Sequence, residues 1–380
     1  MSMLKSVHRF RKSDQRCPTT MASVRDITTR GTTRGTTHGL LGVVAACGLA
    51  LGTIGTVGCG DLSQEDLLFR AGVPNKVALA VVPPGTEAEV DDALASSARQ
   101  AVEENCDGDL LCETRNLARG FNGFTFFLLD IVDAISALPP SERSPGRRVW
   151  GPHFDSEQGS TFRFEMLRSD DGATFTFCLH ARRGFVARAD GVDCSVEEDA
   201  DSELQRVLTG SFSPSGIVGD AARQGAGTMT LFAERLNRLN GEARFARQVD
   251  FAFDNRTGTD IHIDMVGTTV DDIDRDAAYD FVRDSSGAGT LAFDVFADLV
   301  PHDPLVERRQ LERIRLRAAW NEALAGHAIG AVDGGNTGDR TFTMEQCWDA
   351  SLARVYSRDV DDTEVGSIDA CLVDAPAVDG

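Results

Sequence analysis

From Arg147 onward, apolar side chains recur at every second position, and that period decides which folds are open to this chain. Phe162, Phe164 and Met166 alternate with polar neighbours in STFRFEMLRS, and Phe175 and Phe177 do the same in ATFTFCLHAR. Asp170-Asp171-Gly172 lies between them as a turn. A period of two is what a strand with one buried face requires. Further strands are expected near Leu204–Phe212, Thr228–Ala233, Val249–Asp254, Asp260–Val266, Ala277–Val282, Thr290–Ala297, Arg313–Trp320, Gly326–Val332 and Arg340–Cys347. Polar turns separate them at Ser213–Gly216, Asp254–Gly258, Ser285–Gly289 and Asp333–Gly338. Consecutive strands joined by short turns make an antiparallel meander. Glu307–Leu316 also fits a helix. About ten to twelve strands exceed a comfortable flat sheet, so strong curling or barrel-like closure is expected. Gly225-Ala226-Gly227-Thr228 and Gly287-Ala288-Gly289-Thr290 are the same tetrapeptide, a sign of a duplicated hairpin or of shared turn chemistry.

The part before Arg147 has a different rhythm. A short helix is expected at Gln64–Phe69 and a strand at Val77–Val82, ended by Pro83-Pro84. Thr86–Glu104 reads as a helix, with Thr86 as cap and Glu87 and Glu89 in its first turn. The core helix runs from Glu113 to Leu138 and stops at Pro139-Pro140. Phe124, Phe127, Leu128, Ile131, Ile135 and Leu138 fall at helical spacing, and Phe121, Phe126, Leu129 and Val132 widen the apolar face. Only Asp130 and Asp133 interrupt it. Such a helix is buried on most sides. Its plain role is the centre of the core. Its functional role would be to line an apolar cavity with Phe121, Phe124, Phe127, Leu128, Ile131 and Ile135. The fold class is therefore α+β, mostly β: N-terminal helices packed on a large, curled antiparallel meander. The architecture alone resembles the open barrels of periplasmic lipoprotein carriers.

Gly39–Cys59 is an uncharged run with six glycines, preceded by Arg25, Arg30 and Arg34 and followed by the acidic Asp61, Glu65 and Asp66. That is the layout of an export signal. Thr56-Val57-Gly58-Cys59 resembles a bacterial lipoprotein cleavage box, with Thr56 where Leu is usual. A run of about 20 apolar residues could alternatively remain as an anchor. The organisation expected is a signal peptide at 1–58, with Met21 as a second candidate start. A lipidated Cys59 and linker follow at 59–75, then a helical part at 76–146. A sheet domain at 147–375 packs with the helices as one unit.

Residues 1–58 hold eight of the 38 Lys/Arg and two of the 59 Asp/Glu, which leaves the remainder at net −27. Such a surface repels nucleic acid and anionic lipid. Six cysteines follow Cys59: Cys106, Cys112, Cys178, Cys194, Cys347 and Cys371. An even number in an exported chain points to disulfides, with 15 pairings open. Sequence neighbours give 106–112, 178–194 and 347–371. The spacing of Cys106 and Cys112, with no histidine nearby, disfavours zinc.

Chemistry-bearing patterns are sparse. There is no Gly-x-Ser-x-Gly elbow and no His-Glu-x-x-His. His153, His180, His262, His302 and His327 are scattered, so a hydrolytic triad would have to assemble in space. Asp272, Asp274 and Asp276 have the alternation of a calcium loop. However, Ala277 stands where the loop needs glycine and Arg283 where it needs the closing glutamate. A solvated acidic turn is the simpler reading. No cofactor is expected beyond weak calcium at such a turn.

Glu345-Gln346-Cys347-Trp348-Asp349-Ala350-Ser351, Arg354-Val355-Tyr356, Arg148-Val149-Trp150-Gly151-Pro152 and the Ser160–Arg182 hairpin resemble uncharacterised secreted lipoproteins of myxobacterial type. The resemblance covers about 120–375 and implies a helical N-terminal part before a β-rich remainder. It carries no activity and no catalytic residues. The function expected is a non-enzymatic, lipid-anchored lipoprotein of the cell envelope, placed at the outer membrane on its periplasmic or surface face. Its curled sheet would bind an apolar ligand or an envelope component, with the membrane as partner through the anchor. The alternatives are a structural or protein-interaction module without a small ligand, and a degenerate hydrolase.

Overall fold

A computed structural model describes residues 63–86, 106, 108–136, 138–155, 159–187, 193–194, 204–215, 224–240, 246–270, 273–297 and 311–377. Among them the chain forms one antiparallel sheet whose spatial order is its sequence order. Its strands are β1 (Glu142–Ser144), β2 (Arg147–Asp155), β3 (Ser160–Arg168), β4 (Phe175–Arg183) and β5 (Gln205–Pro214). β6 (Gly225–Leu231), β7 (Gln248–Asp254), β8 (Gly258–Val270), β9 (Ile273–Asp284) and β10 (Gly289–Ala297) continue it. β11 (Glu312–Trp320), β12 (Gly326–Asp333), β13 (Phe342–Trp348), β14 (Arg354–Arg358) and β15 (Glu364–Gly366) complete it. The helices are α1 (Gln64–Ala71), α2 (Leu110–Ser136) and α3 (Ala233–Asn240). The mostly β class and the meander are as the alternation predicts. The described part of Glu307–Leu316 is strand, not helix. The segment expected as a helix at Thr86–Glu104 lies outside the described residues apart from Thr86, whose hydroxyl donates to the Pro83 carbonyl at 2.8 Å.

The register carries one apolar row across eleven strands. Met166, Phe177, Gly210, Met229, Phe251, Ile263, Tyr279, Phe293, Leu316, Gly330 and Met344 are successive cross-strand partners from β3 to β13. Where the row meets Gly210, an aromatic ring from the neighbouring strand occupies the space. A Cβ on Gly210 would come within 2.5 Å of Phe177 Cζ. The repeated Gly-Ala-Gly-Thr has the same cause. Its third residue, Gly227 or Gly289, seats Phe253 or Trp320 from the next strand, at 2.8 and 2.7 Å from a hypothetical Cβ. Gly326 does this for Trp348. Such pairing of glycine with a cross-strand aromatic lets a bulky ring lie flat on the sheet.

α2 lies across this face. At its start, the Gln346 side chain of β13 accepts from Leu110 N at 2.8 Å and donates to Gly108 O at 2.6 Å. Just past its end, Trp150 of β2 donates from Nε1 to Leu138 O at 2.7 Å. Between them, Phe121 stacks on Tyr279 of β9, ring centroids 3.7 Å apart. Leu110 to Leu138 spans roughly 42 Å at helical rise. β2 to β13 spans roughly 53 Å at the usual strand spacing. The sheet therefore bows over the helix, and the expected strong curling or closure does not occur. Among the described pairings β1 and β15 each have one neighbour. In an antiparallel meander of fifteen strands the first and last run the same way, so an antiparallel seam cannot close it. Both edges are three-residue strands, short enough to offer little to a further strand.

Residues 76–82 pack along α2 and also approach β8. The expected strand at Val77–Val82 is instead a 3-10 turn, Lys76–Leu79, followed by a short irregular stretch. Among the described residues no strand pairs with it, and the Asn122 side chain supplies the ladder bonds. Val81 N donates to Asn122 Oδ1 at 2.8 Å, and Asn122 Nδ2 donates to Val81 O at 2.7 Å. Lys76 pairs with Asp130 at 2.7 Å and lies over Phe126. One hydrophobic cluster joins α1, α2 and strands β2 to β13.

Candidate functional site

The residues expected to line an apolar cavity sit on α2. Phe121 is packed on Tyr279 and meets Phe293 edge-on. Leu128 is buried, and Ile135 packs on the core cluster. The side chains of Phe124, Phe127 and Ile131 lie outside the described residues. One polar group on this apolar face is unaccounted for. Tyr279 is fully buried, and its hydroxyl has no hydrogen-bond partner among the described residues. Burial pushes this phenol well above its ordinary pKa, so it stays protonated.

The six cysteines pair as sequence neighbours: Cys106–Cys112, Cys178–Cys194 and Cys347–Cys371. Three disulfides mark an oxidising, extracytoplasmic environment. Glu165, Cys178 and Cys194 converge within 4.8 Å, as metal ligands would. Both sulfurs are nevertheless spent on the disulfide. Both Glu165 oxygens accept from guanidinium groups, Arg147 at 2.6 Å and Arg163 at 2.8 Å. A cation would have to displace two existing ones, so the cluster is not a metal site in this state. His180 is buried beside the bridge, Nδ1 3.6 Å from Cys178 Sγ. Burial, with the charges of Arg206 and Arg163, pushes its pKa down to about 3, so the ring is neutral.

Of the acidic turn, Asp272 lies outside the described residues, as does the side chain of Asp274. Asp276 is on β9, in extended backbone. It accepts from Gly267 N at 3.0 Å, at the register shift between Met265 and Thr268. Gly267 has φ +64°, which the bulge needs and a bulkier residue resists. Cys59 also lies outside the described residues.

The sheet face turned away from α2 is polar and charged. His262 sits between two carboxylates, Asp280 across the strand gap at Nδ1 and Asp264 at Nε2, the latter at 2.9 Å. Bonding to Asp280 raises its pKa above the ordinary histidine value. Farther along, Arg313 pairs with Asp294 and Arg315 with Asp333. His327, buried, faces Glu345 at 2.9 Å from Nε2 and the Val373 carbonyl at 3.0 Å from Nδ1. Glu345 in turn holds Arg358 at 2.8 Å. Two acceptors flank His262, so its ring must carry both protons to satisfy them. His153, in β2, is pushed below the ordinary histidine pKa by burial. Among the described residues, no serine hydroxyl is bonded to His153, His180, His262 or His327.

Sequence reasoning passed over Asn122, Gln346, Glu345 and the Asp66–Arg148 pair. The signal for the first was available: Asn122 is the polar residue inside FNGFTFF, where an unpaired amide would be costly. The fold and this face define a disulfide-bonded, mostly β protein built on one open meander. No family model, no curated protein and no solved structure matches the chain.

Proposed function

We propose that the chain is a non-enzymatic, lipid-anchored lipoprotein of the cell envelope that acts as a protein-interaction module, with the polar face of its sheet as the recognition surface. The observation that carries this reading is the placement of α2. It occupies the apolar face from β13 to β2, so the broad surface left for a partner is the charged one around His262, Asp264 and Asp280. The export layout of residues 1–58, Cys59 and the three disulfides support an envelope location. The resemblance to secreted lipoproteins of myxobacterial type agrees with it. Native mass spectrometry of the purified protein tests the reading. The expected mass has an acylated Cys59 as first residue, six hydrogens fewer than the reduced chain, and no retained apolar ligand. An unmodified N-terminus would remove the anchor.

A second reading, binding of an apolar ligand beneath α2, rests on Tyr279. A buried hydroxyl without a partner costs about 1–3 kcal/mol, and a ligand oxygen would satisfy it. A stoichiometric apolar ligand in the same spectrum, lost in Tyr279→Phe, would establish this reading in place of the first.

A further inference from the structure

α1 is the first described element after Cys59, and its two faces differ. Asp66 and Phe69 are buried against the body. Every charged side chain of the helix is engaged there: Glu65 and Asp66 with Arg148, and Arg70 with Asp133. The positions turned away from that contact, Gln64, Leu67, Leu68 and the half-buried Ala71, fall at helical spacing i, i+3, i+4 and i+7 with no charge among them, and the exposed Glu65 flanks them. Leu67 is 50% and Leu68 39% exposed. In a chain this acidic, an outward helical stripe free of charge and bearing two adjacent exposed leucines needs an occupant.

The length of chain before α1 says which occupant. Cys59 and Ser63, the N-cap of α1, are four residues apart, a reach of at most about 14 Å when fully extended. A lipid on Cys59 enters the bilayer at that residue, so α1 cannot stand off from the surface. We propose that the Gln64–Leu67–Leu68–Ala71 stripe rests on the lipid surface and seats the body against it, adding a second membrane contact to the acyl chain. The inference rests on the lipid-anchor reading. It adds orientation: the long axis of α1 lies along the membrane, with Asp66 and Phe69 turned inward. Interfacial helices bind through such a stripe, and the absence of basic residues from it suits a zwitterionic surface.

The test uses the processed protein reconstituted in phosphatidylcholine vesicles containing brominated lipid, with Leu68→Trp as reporter. Its emission is read as the difference from the wild-type spectrum, because Trp150, Trp320 and Trp348 are native. The expected result is a blue-shifted emission from the introduced indole that brominated lipid quenches. Val282→Trp, on the polar face of β9, should show neither change. Hydrogen exchange of wild-type residues 64–71 gives a second readout, slower on vesicles than in full-length Cys59→Ser in buffer. An acylated N-terminus with an unquenched Leu68→Trp reporter and unchanged exchange overturns the contact while the anchor stands. If no acyl mass is found, the anchor reading fails separately. The full chain carrying Cys17→Ser and Cys47→Ser is then coupled through Cys59 to a maleimide lipid, and the same quenching decides whether the stripe meets the surface.

Discussion

Asp66 in α1 and Arg148 in β2 are 82 residues apart in sequence and 2.6 Å apart in space, with side-chain exposures of 1% and 2%. The Arg148 guanidinium also reaches Glu65 at 2.6 Å and lies 4.8 Å over the ring of Phe69. One buried cation thus holds the only described α-helix that precedes α2 onto the sheet edge. Removing it leaves Asp66 in the interior with the half-exposed Arg143, 3.2 Å away, as its remaining cationic partner among the described residues. Arg148→Met should cost about 3–5 kcal/mol, read as a lower urea midpoint. The double variant Arg148→Met, Asp66→Leu should recover part of that loss, because no buried charge is left alone.

Acid sensitivity should appear in two windows. His180 has a folded pKa of about 3 against 6.5. Below pH 6.5 the unfolded chain therefore takes up a proton that the folded chain refuses, and stability falls as pH drops toward 3. The upper limit is ~5 kcal/mol. For Asp66, burial alone would raise the pKa. Hydrogen bonds from Arg148, Ser63 and Arg143 outweigh that and hold it at about 2. Its contribution, about 2 kcal/mol, is present above pH 3.8 and lost as pH falls through 2. In urea titrations across pH, His180→Gln should flatten the first window and Asp66→Asn the second. An unchanged slope between pH 6.5 and 3 in His180→Gln would show that the ring is not buried neutral.

Tyr279→Phe removes a hydroxyl that has no partner among the described residues. In the ligand-free protein the melting temperature should stay the same or rise, since the phenol gives up no hydrogen bond and loses its desolvation cost. A drop of more than about 1 kcal/mol would mean that an ordered water or ligand satisfies it.

Two glycine-to-alanine changes should have opposite signs. At Gly210 a Cβ meets Phe177 Cζ at 2.5 Å and Thr228 O at 2.7 Å, so Gly210→Ala should destabilise by about 1–3 kcal/mol. At Gly123, within α2, no described residue outside the helix's own adjacent backbone lies within 4 Å, and alanine should stabilise by about 1 kcal/mol. Thermal melts of the two variants check both at once.

Cys347–Cys371 closes a separation of 24 residues and carries the chain end that places the Val373 carbonyl on His327. Cys347→Ala with Cys371→Ala should lower stability by about 3 kcal/mol. It should also raise hydrogen exchange across 371–377, measured by mass spectrometry of the corresponding peptides.

The strands between Leu204 and Cys347 were legible because each shows a local alternation that needs only its own neighbours. β1, β14 and β15 were not, since three to five residues hold too few periods. Val77–Val82 misled for a related reason. Its apolar content suited a strand, but a strand needs a partner, and what lies beside it is α2 with the Asn122 amide. α2 itself was legible to within about three residues at its start, while Gln346, which pins that start, is 236 residues away in sequence. The neighbour pairing of the cysteines agreed with the structure. Short loops close at low entropic cost.

Period, turn chemistry and cysteine number are carried by residues close together in the chain, so the sequence alone pointed to a mostly β meander, a central apolar helix and the presence of disulfides, while their pairing came from the structure. Whether fifteen strands stay open depends on which edges pair and on a helix spanning β2 to β13. Which carboxylates meet which guanidinium and imidazole groups depends on register summed over many strands. Those relations join residues tens to hundreds of positions apart, and no local pattern records them, so only the tertiary structure decided them.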